Sequence, residues 1–170
     1  MDRRSLLGLA RWPLLLGCST PALSMPLDPP SGPVLLTLTG GVRHTNRPAA
    51  AAFDMAMLER LPQQQFSTTT PWYRQPRQFT GPLLRDVLAA AGAQGQLLRA
   101  QALNNYFVDI PSEDARRYDV LLARLLDGKP MAVRDKGPLF IIYPFHAHPE
   151  LRNAVYYSRC AWQLQSIEVS

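Results

Sequence analysis

The chain has 170 residues, 46% of them hydrophobic and 18% charged, a mix and length suited to one domain with a packed core. Its formal charge of +5 comes almost wholly from dispersed arginines, without the aromatic-interleaved basic stripe of a nucleic-acid-binding protein. No apolar run approaches the ~20 residues of a bilayer span, and 16 prolines argue against a helical bundle and for a loop-rich α+β fold.

Residues 1–24 read as an export signal. Arg3 and Arg4 open a basic region that extends to Arg11, the apolar run Trp12 to Leu16 follows, and Ala22-Leu23-Ser24 permits cleavage before Met25. Arg3-Arg4-Ser5-Leu6-Leu7 resembles a twin-arginine signal, which carries proteins already folded. Leu15-Leu16-Gly17-Cys18 also fits a lipoprotein box, so the mature chain is expected either as a soluble exported protein or as one anchored through a lipidated Cys18. Either way Cys160 is the one cysteine left in the folded part, which excludes an intradomain disulfide and a cysteine-rich zinc site. Its apolar neighbours Ala161, Trp162 and Leu164 point to a buried structural thiol.

Residues 25–33 form a Pro-rich tether, and residues 34–170 form the domain. Val34 to Thr39 is a first strand, closed by Gly40-Gly41. Phe53, Met57, Leu58 and Leu61 share one face of a short amphipathic helix that Pro62 stops. Phe66 to Thr70 is β-prone, and Pro71-Trp72-Tyr73 begins a loop that reaches Gly81. Pro82 is expected as the first residue of a second helix, with Leu83, Leu84, Val87, Leu88 and Ala91 buried and Gly92 as the stop. Leu97 to Leu103 and Tyr106 to Ile110 are strands separated by Asn104-Asn105, a hairpin or a bulge. Ser112 caps a helical turn through Arg117. Asp119 to Leu126 is a buried strand or helix.

Met131 to Val133 and Leu139 to Tyr143 are expected as strands around a basic loop, Arg134-Asp135-Lys136-Gly137-Pro138. Cations in a Gly-Pro loop at the mouth of an apolar strand suit an anionic or polar ligand. His146 to Asn153 is a loop or a single helical turn. Its His146-Ala147-His148 pair has only Glu150 nearby, too few ligands for a metal site. Val155 to Tyr157 and Ala161 to Val169 close the fold. No Gly-x-Ser-x-Gly elbow, P-loop or paired-carboxylate site is present.

Several phrases, taken in order, resemble one family. They are Phe79-Thr80-Gly81-Pro82-Leu83-Leu84 with Ala91-Gly92, the stretch Ala102 to Pro111, and Leu122-Ala123 followed by Asp127-Gly128-Lys129-Pro130-Met131. Gly137-Pro138-Leu139 with Tyr143-Pro144 and the closing Trp162 to Val169 complete the set. Together they are similar to molybdopterin-binding oxidoreductase domains over roughly residues 34–169. The resemblance implies an α+β, sulfite-oxidase-like molybdopterin-binding fold, with mixed β-sheets and short flanking helices.

Catalytic members of that family hold molybdenum through a cysteine thiolate just before the segment matched by Phe79-Thr80-Gly81. Here that region is Gln65 to Trp72 and carries hydroxyls but no thiol. The resemblance therefore implies a pterin cofactor, reduced or molybdopterin-type, with molybdenum not expected and no catalytic residue assigned. The expected ligand-binding residues are Trp72, Tyr106 and Tyr143 as platforms, Thr68, Thr69, Thr70 and Asn104 as edge readers, and Arg134, Lys136 and Gly137 around a polar tail. It also points to small exported members without the cysteine that report a bound pterin to a membrane-bound partner, such as a cyclic di-GMP enzyme or a sensor kinase. The alternatives are a molybdopterin-dependent oxidoreductase and a structural subunit with a vestigial pocket.

Overall fold

A computed structural model describes residues 27–170; the export signal and Cys18 lie outside the described residues. Three sheets carry the fold. The largest is five-stranded, in the order β2-β1-β11-β5-β6: β2 (Ala50–Asp54), β1 (Val34–Gly40), β11 (Leu164–Val169), β5 (Leu97–Ala102) and β6 (Phe107–Pro111). β1 and β11 run parallel, and the other neighbours are antiparallel. A four-stranded sheet follows the order β3 (Gln63–Thr70), β4 (Tyr73–Pro82), β8 (Leu125–Leu126) and β9 (Lys129–Pro130). β7 (Leu121–Ala123) pairs with β10 (Phe140–Ile142) between them. Four short helices flank the sheets: α1 (Met55–Arg60), α2 (Leu84–Ala90), α3 (Ser112–Arg117) and α4 (Ala154–Arg159). This is the mixed-sheet, short-helix architecture expected from the sequence, and no described helix is long and apolar enough to cross a membrane.

Alternation explains β1, where Leu36 and Leu38 are fully buried between half-exposed neighbours. The helix expected over Phe53 to Leu61 begins only at Met55. Phe53 belongs to β2, which is buried along its whole length against β1. Asp54 sets the boundary. It is extended, and its Oδ1 accepts the Met57 amide at 2.8 Å as an N-cap. Its Oδ2 accepts the Ser31 and Gly32 amides at 2.6 and 2.7 Å, so the described part of the Pro-rich tether is fastened to the domain.

The loop expected from Pro71 to Gly81 is instead the ten-residue strand β4, paired with β3 from Gln63–Pro82 to Thr70–Tyr73. The register breaks between Thr68 and Thr70, and Pro76 sits in that irregularity, where its missing N–H costs no ladder bond. Pro82 ends β4 rather than starting α2. Leu83 bridges to Leu121 and the Leu84 amide bonds the Val120 carbonyl, so tertiary pairing holds the chain extended one residue past the proline. Within the ambiguous segment Asp119 to Leu126, Leu121–Ala123 and Leu125–Leu126 are short strands of two different sheets, separated at Arg124. Met131 to Val133 is not; Val133–Asp135 forms a single 3-10 turn. Ser112 is the first residue of α3, not its cap, and its hydroxyl bonds the Gly95 carbonyl at 2.8 Å. Val155 to Tyr157 is helical, capped by the Asn153 side chain on the Val155 and Tyr156 amides.

Candidate functional site

Four segments converge at one end of the molecule. The β3–β4 hairpin turns at Pro71-Trp72, the β5–β6 turn spans Leu103 to Tyr106, and α4 with the strand entrance Cys160 to Trp162 closes the group. The main chain holds them together. Phe140 bridges to Trp162, and the Ile141 amide bonds the Ala161 carbonyl at 2.9 Å. Gln163 links two loops: its amide donates to the Lys136 carbonyl at 3.1 Å and its carbonyl accepts the Leu103 amide at 2.9 Å.

Between these segments lies a cavity of about 470 Å³, within the range of small-molecule sites. Trp72, Trp162, Tyr106 and Tyr157 form much of its wall, with Asn104 and Cys160. Trp72 meets Trp162 edge-on, with centroids 5.3 Å apart at 77°, and packs on Phe140 at 5.8 Å and Tyr157 at 6.2 Å. Such edge-to-face pairs hold the rings in fixed orientations. At one side the Tyr106 hydroxyl donates to the Ser158 carbonyl at 2.9 Å, tying the β5–β6 turn to α4. Asn104 Oδ1 accepts the Tyr106 amide at 3.1 Å, and Asn105 takes the left-handed conformation that the sequence suggested for this pair (φ 65°).

Cys160 is buried at 2% exposure, and burial pushes its thiol well above the ordinary range, so it is protonated at neutral pH. Beneath the hairpin turn, Thr68 and Thr70 point inward and are buried, while Thr69 is exposed. The Thr70 hydroxyl is buried without a hydrogen-bond partner among the described residues.

A second cleft, about 420 Å³, lies on another side of Trp72 and contains the basic loop. Arg134 and Lys136 line it. Arg134 is 88% exposed and 3.5 Å from Asp135, whereas Lys136 Nζ sits 4.5 Å from the Trp162 ring centroid as a cation–π contact. Lys136 is left-handed at φ 72°, and Gly137 is required beside it because a Cβ there would collide with the Met131 carbonyl.

The sequence-derived candidates thus divide. Trp72, Asn104 and Tyr106 share the aromatic cavity. Arg134 and Lys136 face the neighbouring cleft, and Gly137 shapes their loop. Tyr143 is a correction: it is fully buried, its hydroxyl donates to Asp114 Oδ2 at 2.7 Å, and it lines neither cavity. Burial, with the neighbouring carboxylate, pushes its phenol far above the ordinary range. The same Asp114 oxygen accepts Arg159 at 2.8 Å, so the three residues fasten α3, α4 and the end of β10. Tyr157 and Ser158 line the cavity without a sequence signal of their own; the Asn153 cap, which starts the helix carrying them, is the local sign of their placement. Trp162 reads as part of the last strand and Cys160 as a buried structural thiol; both precede β11 and line the cavity. His146 stacks on Phe66 at 5.1 Å and His148 bonds Glu150 at 3.1 Å; among the described residues no group of three or more possible ligands could hold a metal.

The family model for the oxidoreductase molybdopterin binding domain matches residues 44–148. Among solved structures, the sulfane dehydrogenase SoxCD from Paracoccus pantotrophus superposes with a TM-score of 0.59 at 18% identity, over 79% of this chain and 37% of that one. The chain therefore spans little more than a third of that relative, and the likeness is one of fold. Comparison with curated proteins gives no match.

Proposed function

The chain belongs to the oxidoreductase molybdopterin-binding domain family, and on that footing we propose that it is an exported, non-catalytic pterin-binding protein whose bound state is passed to a membrane-bound signalling partner. The observation that carries the reading is the aromatic cavity. A pterin is a flat bicycle with a polar edge, and the Trp72, Trp162 and Tyr157 rings with the Asn104 amide supply apolar walls and a hydrogen-bonding group. The leader-like sequence of residues 1–24 supports export.

The pterin portion of the family's cofactor fits these residues. A molybdenum centre held by a protein thiolate does not. Thr68, Thr69 and Thr70 occupy the segment where the resemblance calls for the ligating cysteine, so the thiolate that the family's metal centre uses is missing there. The one described thiol, Cys160, is kept protonated by burial. A second reading, a molybdopterin-dependent oxidoreductase, draws on a single observation: that same thiol lines the cavity.

The test is ligand analysis of the protein purified from its native compartment. Acid release should yield a fluorescent pterin without molybdenum. Stoichiometric molybdenum would sink the sensor reading in favour of the oxidoreductase. No released ligand and no binding of added tetrahydrobiopterin would leave a structural subunit with a vestigial pocket.

A further inference from the structure

We propose that the cleft on the other side of Trp72 docks an acidic, partly apolar segment of a partner protein; this names the chemistry of the partner and rests on the signalling reading above. The cleft combines two properties. Its floor is apolar, from Trp72, Tyr73, Leu126 and Met131. Its rim carries Arg77, Lys129, Arg134 and Lys136 against one lining carboxylate, Asp135.

The rim charges are available. Arg77 pairs with Asp127 at 2.6 Å and Arg134 with Asp135 at 3.5 Å, but all four side chains are at least a third exposed, and such pairs contribute little. Among the described residues no salt bridge engages Lys129 or Lys136.

The distribution of charge favours a peptide over a small anion. A phosphate site gathers donors onto one point, often with backbone amides. Here the cations surround an apolar floor, Arg134 extends into solvent, and Lys136 lies over an indole. Spaced carboxylates with apolar side chains between them match that pattern, and charge complementarity sets register and encounter rate.

The cleft also shares a wall with the aromatic cavity. Trp72 lines both, and Lys136 rests on Trp162, which lines the cavity. A ligand packed on the cavity face of Trp72 and a peptide packed on its cleft face share that one indole, and any effect of one on the affinity of the other must be reciprocal.

The test uses a fluorescein-labelled Glu-Glu-Leu-Glu-Glu-Leu peptide, read by anisotropy with the full chain. Saturable binding is expected at low salt, weakening as salt rises. Lys129→Glu with Arg134→Glu should weaken it at least tenfold, while Arg116→Glu with Arg117→Glu on α3 leaves it unchanged. Equal losses in both double variants, or no binding by the folded wild-type protein at low salt, would overturn the proposal. So would pyrophosphate that binds tightly and displaces the peptide, since the cleft would then be a small-anion site. Tetrahydrobiopterin titration of the same variants keeps the two readings apart. Retained pterin binding beside lost peptide binding locates docking in the cleft. Peptide binding by a protein that never takes a pterin keeps the docking surface and removes the ligand that the signalling reading requires.

Discussion

Trp72→Ala tests the cavity reading most directly, because the residue has two jobs whose magnitudes can be separated. The indole is half-buried, edge-on against Trp162 and in contact with Phe140 and Tyr157. Truncating a fully buried Trp costs ~3–5 kcal/mol. With one side on the cavity and another on the cleft, about half of that packing is present, so a loss of ~2 kcal/mol is expected. In a domain of this size that corresponds to a fall in Tm of ~4–8 °C. Binding loses a stacking wall worth ~1–3 kcal/mol, a 5- to 150-fold rise in the Kd for tetrahydrobiopterin. Differential scanning fluorimetry reads the first quantity and a fluorescence titration at 25 °C the second. Leu84→Ala is the control: Leu84 is fully buried in α2 away from the cavity, so it should lose at least as much stability and keep its affinity. The reasoning fails if Trp72→Ala weakens binding no more than Leu84→Ala does.

Asp114→Ala should cost ~2–3 kcal/mol in urea unfolding, because it leaves the buried Tyr143 hydroxyl and the partly buried Arg159 guanidinium without their shared acceptor; a cost under ~1 kcal/mol would mean that water screens the pair. Asp54 predicts an acid limb of stability. The Met57, Gly32 and Ser31 amides hold its carboxyl down to about 2, so its contribution is complete above the unfolded value and is lost as pH falls from ~4 through about 2. Asp54→Asn should flatten that limb, and an unchanged pH profile would remove Asp54 as its source. Cys160 should react with iodoacetamide at pH 8 only slowly in the native protein and rapidly in denaturant; fast native labelling would expose a thiolate and revive the oxidoreductase reading.

Part of the aromatic cavity is legible in local chemistry: of the residues named from the sequence, Trp72, Asn104 and Tyr106 line it. An Asn pair between apolar runs marks the left-handed turn that carries Tyr106, whereas Pro71-Trp72 reads as the start of a long loop and is the tip of the β3–β4 hairpin. An aromatic in a buried strand gives no local sign of its partner, so Tyr143 reads as a platform although its hydroxyl bonds Asp114, 29 residues away on another element. The place of Pro82 is hidden from the sequence for a related reason. Its fixed φ suits a strand end as well as a helix start, and only the pairing of Leu83 with Leu121 decides between them.

Composition, alternation and the order of short motifs determined the α+β class, the first and last strands and the family resemblance, since each depends on residues close in sequence. The tertiary structure decided which residues meet. Trp72 and Trp162 stand 90 positions apart in the chain, yet their rings lie 5.3 Å apart, because β10 pairs beside the entrance to the last strand. The same packing moved Arg134 and Lys136 out of the cavity and into the cleft behind it. Long-range pairing and burial select among conformations that local propensity leaves nearly equal in energy.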